Sequence, residues 1–360
     1  MSFRLRLPFV VLIGLCGVMV GGYFALDALD RAYPPPLPQR LTTSTEVRDR
    51  DGLLLRAYPI PGGTWRLKTA VEDVDPHLVE MLIAYEDKRF FSHSGVDLMA
   101  TVRAGWQLLT NGRIVSGGST LSMQVARLIE PRKERSFSSK ILQVLRAFQI
   151  ERRLSKNEIL ERYLTLAPYG GNLEGIRAAS LSYFGKEPKR LSLAEAALLV
   201  SLPQLPELRR PDRHPDNAKR ARDRVLTRML GDGIVDEREI SIADAEYIPR
   251  IRTPLPSYAA HVSDRAIKAN PYAGVHNLTL KRDAQARLEA VARKAVVPLG
   301  DNVSVAMILA DSRNGDVLAS IGSPDYFNNA RNGWIDMTRS IRSPGSTLKP
   351  FIFGLAFEDG

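Results

Sequence analysis

Apolar positions recur with a helical period through the middle of the chain, from about residue 75 to 230. The first helix start is Asp75 followed by Pro76, a capping side chain before a proline at the first helical position. An apolar stripe then continues from Leu78 to Glu86. The pattern predicts a helix that ends at a carboxylate.

Further helix starts follow along the same stretch. Asp97 is predicted to cap a second helix that runs to about residue 111. Ser155 with Glu158, and Ser192 with Glu195, have the spacing of capping boxes before apolar runs. These signals predict an α-helical lobe with long interrupting loops.

The period changes to two at both ends of this lobe. Residues 45–58, "TEVRDRDGLLLRAY", predict two short strands around the turn signal Asp51-Gly52. Near residue 300, "SVAMILAD" and "DVLASIG" predict strands that flank Asn314-Gly315. A new domain is therefore predicted to begin there.

The N-terminus contains an uncharged run, "PFVVLIGLCGVMVGGYFAL", from residue 8 to 26. Its length is close to the ~20 residues that span a bilayer. Arg4 and Arg6 precede it, so the positive-inside rule predicts a cytoplasmic N-terminus and an exported remainder. The alternative is a cleaved signal peptide; because no small-x-small cleavage site follows, we favour an uncleaved anchor.

The net charge and the cysteine and histidine content limit the kinds of partner and metal site that the chain can have. The 360-residue chain has a formal charge of +10, which favours anionic partners. Export argues against nucleic acid, so the charge points to lipid headgroups or a phosphate-bearing substrate. The single Cys16 allows no intramolecular disulfide, and the five histidines lack the HExxH spacing of a zinc site.

Four segments of the lobe are denser in polar residues than folding requires. They are "YEDKRFFSHSG" (85–95), "GGSTLSMQVAR" (117–127), "RKERSFSSKILQ" (132–143), and "ILERYL" with "GIRAASLSYFG" (159–164 and 175–185). In the second, Gly118 and the glycine before it permit close approach of backbone N–H groups to an anion. Taken singly, each segment also fits a surface pair, a capped helix or a solvated basic face.

Together, and in this order, the segments resemble the peptidoglycan glycosyltransferases of the class A penicillin-binding proteins. The family block Glu-Asp-x-x-Phe-x-x-His-x-Gly matches Glu86, Asp87, Phe90 or Phe91, His93 and Gly95. The Gly-Gly-Ser-Thr, Arg/Lys, Ile-Leu-Glu-x-Tyr-Leu and Ala-Ala-Ser-x-x-Tyr-Phe-Gly blocks follow in turn. The lobe is most similar to the penicillin-binding protein 1C branch.

The resemblance implies an inverting hexosyl transferase that polymerises lipid II and releases undecaprenyl pyrophosphate. Glu86 would be the general base, and cations would stabilise the pyrophosphate. The residues that the resemblance assigns to substrate binding are Asp87, Gly118, Ser119, Thr120, Gln124, Arg127, Arg135, Lys140, Glu161 and Arg177.

The sequence departs from the family where a second carboxylate is usual, since Gln143 stands there. Met123 and Ser122 also differ from the usual glutamine and threonine. Glu86 keeps its expected role, whereas any step assisted by Mg²⁺ or Mn²⁺ is put in doubt by Gln143. We therefore expect an active enzyme with weak metal dependence, no metal-ligating side chains and no organic cofactor.

The resemblance continues in "RSPGSTLKPFIFG" (342–354), where Ser346 and Lys349 match the Ser-x-x-Lys pair of a transpeptidase. On a helix the lysine would lie one turn from the serine and could accept its proton. No Ser-x-Asn or Lys-Thr-Gly element follows Lys349 in the printed sequence. The expectation is an incomplete transpeptidase site that does not bind penicillin stably.

The expected fold is mainly α, a lysozyme-like helical lobe after one transmembrane helix. An α+β linker region and the incomplete start of an α/β transpeptidase domain would follow. The expected divisions are a cytoplasmic tail (1–7), an anchor (8–29), a proline-rich linker (30–44), the glycosyltransferase domain (45–230), the linker region (231–300) and the transpeptidase start (301–360).

The resemblance also implies a single-pass protein of the bacterial inner membrane with a periplasmic catalytic domain. Its expected partners are lipid II, the growing glycan strand, the membrane, moenomycin-type inhibitors and other cell-wall enzymes. Two alternatives stay open. A lysozyme-like lytic muramidase would need no cations for a pyrophosphate, so the arginines and the lysine around the Gly-Gly-Ser-Thr segment argue against it. Gln143 and the missing C-terminal half favour a catalytically silent membrane scaffold, whereas the intact residues Glu86, Ser119, Thr120, Gln124 and Lys140 argue against it.

Overall fold

The computed structural model describes residues 21, 24, 27–38, 40–97, 99, 119–131, 136–300 and 302–360. Most of the predicted anchor and the helix predicted after Asp97 lie outside these ranges, as do Gly118 and Arg135. Within the described ranges, no helix combines the length and the apolar character that crossing a membrane requires.

The described chain is mainly helical, with short strands. The helices are α1 (Pro76–Glu86), α2 (Leu121–Ile129), α3 (Phe137–Glu151), α4 (Lys156–Leu166), α5 (Ile176–Phe184), α6 (Leu193–Ser201), α7 (Pro215–Gly231), α8 (Glu237–Ala245), α9 (Ala260–Ala269), α10 (Arg282–Val296) and α11 (Lys349–Glu358). The strands are β1 (Thr45–Arg48), β2 (Leu54–Tyr58), β3 (Trp65–Arg66), β4 (Pro168–Gly170), β5 (Leu173–Glu174), β6 (Val275–Asn277), β7 (Met307–Ala310) and β8 (Val317–Ile321).

The chain divides into two compact units. The first holds residues 1–44 and 59–254, and the second holds residues 45–58 and 255–360. The expected divisions differ from this at two places. The hairpin of residues 45–58 belongs to the second unit because it pairs with β6, and residues 231–254 belong to the first because α8 packs on α6 and α7.

Helix α6 forms the centre of the first unit. Its sequence is apolar on all sides, which is typical of a helix surrounded by protein. Ala196, Leu198 and Leu199 have almost no exposed surface, and α6 packs against both α1 and α7. The burial of α6 fixes the position of α1, which ends at Glu86.

The predicted helix starts at Asp75, Ser155 and Ser192 are confirmed, whereas the start at Asp97 leads into residues outside the described ranges. Asp75 accepts a hydrogen bond from the backbone N–H of His77 at 3.0 Å. Ser155 with Glu158, and Ser192 with Glu195, form complete capping boxes at the starts of α4 and α6. Each cap satisfies backbone N–H groups that have no partner within the helix.

A small sheet in the first unit, with strand order β3-β5-β4, escaped the sequence analysis because its strands are only two or three residues long. Gly175 lies between β5 and α5 with φ at +82°, and a Cβ there would lie 2.6 Å from the carbonyl oxygen of Thr165. Only glycine permits this close approach, which brings the start of α5 against the end of α4.

The second unit contains the hairpin predicted around Asp51-Gly52, with β1 and β2 antiparallel. The structure adds β6, which pairs in parallel with β1. Buried Asp49 accepts hydrogen bonds from the backbone N–H groups of Leu53 and Arg282, at 2.8 and 2.9 Å. This carboxylate therefore joins the hairpin to the start of α10.

The second predicted hairpin is also confirmed, since β7 and β8 pair antiparallel around Asn314-Gly315. Helix α10 packs on β8, with Ala292, Ala319 and Ile321 at the buried centre. The stretch that the sequence pattern left unassigned, residues 232–300, forms α8, α9, β6 and α10.

Candidate active site

The carboxylate of Glu86, the last residue of α1, is held by two amide side chains. Gln124 Nε2 donates to Glu86 Oε2 at 2.8 Å, and Gln204 Nε2 donates to Glu86 Oε1 at 2.8 Å. Glu86 is half-buried, and no ion pair to it is found among the described residues. The carboxylate is thus oriented by neutral donors and stays open to solvent on one side.

Two buried tyrosines lie near this carboxylate. Burial, with a further contribution from the charge of Glu86, raises the pKa of the Tyr163 and Tyr169 phenols well above their usual value. Both therefore stay protonated at neutral pH. The Tyr163 hydroxyl has no hydrogen-bond partner in the described part of the chain, so one buried donor near Glu86 is unused.

Asp87 is buried and engaged with the protein itself. Its Oδ2 accepts a hydrogen bond from the Leu121 backbone N–H at 2.9 Å and lies 2.9 Å from His93 Nε2. Burial raises the pKa of the Asp87 carboxyl, and these two contacts oppose the rise. The contacts support a role in joining the loop after Glu86 to the start of α2; a contact with substrate remains a prediction.

We expect Asp87→Ala to lower the free energy of unfolding by about 3 kcal/mol, because the Leu121 N–H and the His93 ring would both lose a buried partner. Chemical denaturation in detergent measures the loss. The matched control is Lys88→Ala, since exposed Lys88 makes only a surface ion pair with Asp232, worth about 1 kcal/mol or less. Equal stability of the two variants would contradict this role of Asp87.

The Ser-Thr pair before α2 connects three parts of the site. Thr120 caps α2 by accepting from the Met123 N–H, and its hydroxyl donates to the Gly95 carbonyl at 2.5 Å. Gly95 has φ at +100° and lies against the backbone of Ala147 in α3, which accounts for a glycine there. Ser119 Oγ accepts from Lys140.

Positive charge accumulates where α2 and α3 pack together. Lys140 Nζ lies 2.5 Å from Ser119 Oγ, and Arg127 is exposed in the last turn of α2. Desolvation, and then the charge of Arg127, lower the pKa of the Lys140 ammonium. Two neighbouring cations favour the approach of an anion, and the assignment of both to substrate binding remains a prediction.

Gln143 has a structural contact, because its Nε2 donates to the Met123 carbonyl at 2.6 Å. The amide offers no anionic ligand, and its nitrogen faces a carbonyl oxygen. Within the described ranges, no three His, Cys, Asp or Glu side chains cluster as metal ligands. Gln143 therefore supplies no carboxylate for a divalent cation, and the weak metal dependence remains a prediction.

Glu161 and Arg177 are not joined to Glu86 by any contact in the described residues. Arg177 is buried and forms a two-point ion pair with Glu187, at 2.6 and 2.8 Å. Glu161 is half-buried on α4. Their assignment to substrate binding remains a prediction.

Ser346 and Lys349 lie in the second unit, at the start of α11. A 3₁₀ turn (Gly345–Leu348) leads into α11, and the Lys349 N–H donates to the Ser346 carbonyl. The two residues are one helical turn apart and exposed, as the Ser-x-x-Lys spacing predicts.

Sequence reasoning missed several residues around the site. Gln204 stands in a proline-rich stretch with no feature that distinguishes it, and it contacts Glu86 only through the fold. Lys156 donates to the His93 carbonyl at 2.7 Å and to Glu151 Oε1 at 2.6 Å. Glu151 in turn accepts a hydrogen bond from Ser122. This network joins α2, α3, α4 and the loop that follows Glu86.

Two sequence models of known protein families match the chain. A sequence model of the family described as "Transglycosylase" matches residues 54–230. One described as "Penicillin binding protein transpeptidase domain" matches residues 305–360. The first match covers the helical lobe with its four polar segments, and the second covers the Ser-x-x-Lys segment.

Among curated proteins, the chain is similar to penicillin-binding protein 1C of Escherichia coli (strain K12), with 42% identity over 94% of this chain and 44% of that protein. It is 28% identical to penicillin-binding protein 1F of Bacillus subtilis (strain 168), over 99% of this chain and 51% of that protein. The chain thus spans about half the length of these relatives.

Among solved structures, the chain is similar to penicillin-binding protein 1A from Haemophilus influenzae, with a TM-score of 0.33 and 15% identity over 89% of this chain and 53% of that one. A score this low adds nothing to the assignment of the fold.

Proposed function

Since the chain belongs to the class A penicillin-binding proteins, we propose that its helical unit is a peptidoglycan glycosyltransferase that polymerises lipid II into glycan strands. The observation that carries the proposal is the Glu86 carboxylate, oriented by two amides in the same unit as the Ser119–Lys140–Arg127 anion site. A base and an anion site are the two parts that glycosyl transfer from a pyrophosphate requires.

In the proposed reaction Glu86 removes the proton from the 4-hydroxyl of the acceptor sugar. The resulting oxygen attacks C1 of the donor sugar and inverts it, while the bond from C1 to the pyrophosphate oxygen breaks. Undecaprenyl pyrophosphate leaves with the electron pair, and Lys140 and Arg127 stabilise its negative charge. Ser119 accepts a hydrogen bond from Lys140 and holds the ammonium in place.

The remaining assignments extend this proposal. A single N-terminal anchor in the inner membrane would keep the periplasmic lobe near a substrate confined to the bilayer. Moenomycin-type inhibitors and other cell-wall enzymes are the proposed further partners. Ser346 and Lys349 are assigned as nucleophile and base of the transpeptidase domain, within residues that match that family.

The direct test incubates the purified chain with lipid II in detergent and follows glycan polymer on a gel. Polymer that forms, and that lysozyme digests, supports the transferase. Release of fragments from preformed glycan without polymer would favour the muramidase. Binding of lipid II without either product would favour the silent scaffold.

Metal removal should have little effect on the polymerisation rate. A Lewis-acidic cation contributes several kcal/mol, so an enzyme that depends on one loses more than about a hundredfold when it is chelated. Because Gln143 supplies no anionic ligand, we expect less than about a tenfold loss with excess chelator. Initial rates with chelator, and after Mg²⁺ is restored, measure this; complete loss and full recovery would contradict it.

A further inference from the structure

We propose that Arg209 and Gln204 form a positioning relay that sets the orientation of the Glu86 carboxylate for proton transfer. The relay runs from the end of α6 through one amide side chain to the base. It rests on the proposed function, in which Glu86 accepts the proton of the acceptor hydroxyl. Neither residue belongs to the four polar segments that the sequence singled out.

The relay consists of three hydrogen bonds in series. Arg209 Nη1 donates to the Ser201 carbonyl at 2.5 Å and to Gln204 Oε1 at 3.1 Å. Gln204 Nε2 then donates to Glu86 Oε1 at 2.8 Å. A guanidinium group can only donate and a carboxylate can only accept, so Gln204 has one possible orientation between them. The chemistry of its two neighbours therefore determines which way the amide points.

The origin of the relay is rigid. Ser201 is the last residue of α6 and is fully buried. Its carbonyl is one of the free acceptors at a helix C-terminus, where a cation is favoured. Leu202 and Pro203, both buried, lead directly into Gln204. Arg209 is half-buried, and desolvation lowers the pKa of its guanidinium, which nevertheless stays charged at neutral pH.

The Gln204 amide separates the charge of Arg209 from that of Glu86, and this separation affects the chemistry of the base. A cation in direct contact with Glu86 would stabilise the ionised carboxylate and weaken it as a base. Gln204 is held by Arg209 and in turn holds Glu86, so the guanidinium orients the carboxylate without touching it. With Gln124 on the other oxygen, both atoms of the carboxylate are held, and the plane of the base is fixed against rotation.

The charged and titratable groups near Glu86 are few among the described residues. Tyr163 of α4 and Tyr169 of β4 lie near it and stay protonated, as their raised pKa values show. The charge of Glu86 also acts on the Arg209 guanidinium, whose other charged or titratable neighbours are Tyr85 and Arg224. Arg127 is a further cation, which lies near Tyr163. Loss of Gln204 would therefore act on Glu86 and not on a neighbouring acid.

The test compares Gln204→Leu, Arg209→Met and Arg209→Lys with the parent chain, using lipid II as substrate. We expect Gln204→Leu to lower kcat about tenfold with little change in KM, because one hydrogen bond to a charged group is lost. Arg209→Met should act in the same way, whereas Arg209→Lys should keep most of the activity.

Two further variants separate the relay from general effects. Arg213→Met removes an exposed cation from the same segment, without a described side-chain hydrogen bond or ion pair, and should leave kcat and KM unchanged. The double variant Gln204→Leu/Arg209→Met should be no slower than Gln204→Leu alone, since both changes break one chain of hydrogen bonds. Thermal unfolding of each variant checks that the fold is retained.

Several results would overturn the relay while leaving the transferase intact. They are an unchanged kcat in Gln204→Leu, a loss confined to KM, or losses that multiply in the double variant. If the parent chain forms no polymer at all, both the proposed transferase activity and the proposed relay are contradicted.

Discussion

Glu86→Gln is expected to abolish detectable polymerisation of lipid II, with a loss of about 10²–10⁴ in rate, the usual contribution of a positioned general base. Glutamine has nearly the same shape but cannot take up the proton of the acceptor hydroxyl. In the parent chain both carboxylate oxygens accept from amide nitrogens, at 2.8 Å each. The variant would replace one of these oxygens with an NH₂ group that faces another donor.

The measurement is the initial rate of glycan formation from labelled lipid II, resolved on a gel. Glu80→Gln is the matched control, because Glu80 is an exposed carboxylate on the same helix α1 with no described side-chain partner. Its rate should equal that of the parent. Polymer from Glu86→Gln at a rate within tenfold of the parent would remove Glu86 from the role of base.

Lys140→Met is expected to lower kcat/KM by about 10²-fold, because one preorganised donor aimed at developing negative charge is worth two to three powers of ten. The ammonium lies 2.5 Å from Ser119 Oγ, and in the proposed reaction it stabilises the leaving pyrophosphate. Lys140→Arg should retain a substantial part of the activity, since it keeps the charge but not the compact shape of the ammonium.

The pH dependence gives a second readout for Lys140. Its pKa is lowered by desolvation and by Arg127, so the ammonium loses its proton at a lower pH than an ordinary lysine does. Activity that needs this charge is present below the lowered pKa and is lost as the pH rises through it. The alkaline limb of the profile should move to higher pH in Lys140→Arg, because a guanidinium stays protonated there.

The control for the charge change is Lys219→Met, which removes a lysine that pairs with Asp223 on the surface of α7. It alters the net charge equally but touches no part of the site, so kcat/KM should stay near that of the parent. If both lysine variants lose activity to the same extent, the effect belongs to the overall charge and not to a pyrophosphate site.

The local features of the fold were predictable because the groups that form them are close in sequence. Ser155 with Glu158 is a cap between residues three apart, and the turn at Asn314-Gly315 joins strands that are adjacent in the chain. The same holds for Glu86, whose helix begins at a cap and a proline ten residues earlier. Such signals depend on short-range hydrogen bonds and do not need the rest of the protein.

Long-range pairings were not predictable from these patterns. Strand β6 pairs with β1 across more than 200 residues, and neither strand carries a mark of its partner. The pairing forms only when the two strands meet in the folded sheet, and a one-dimensional pattern does not contain that information.

The sequence by itself determined the family, the helical lobe and the carboxylate that serves as candidate base, since these follow from motifs and caps read along the chain. Only the tertiary structure decided how that base is held. Gln204 lies 118 positions from Glu86, and Gln143 turns its amide to the Met123 carbonyl in a neighbouring helix. Such contacts exist only after helices pack, because a hydrogen bond acts over about 3 Å whatever the separation in sequence.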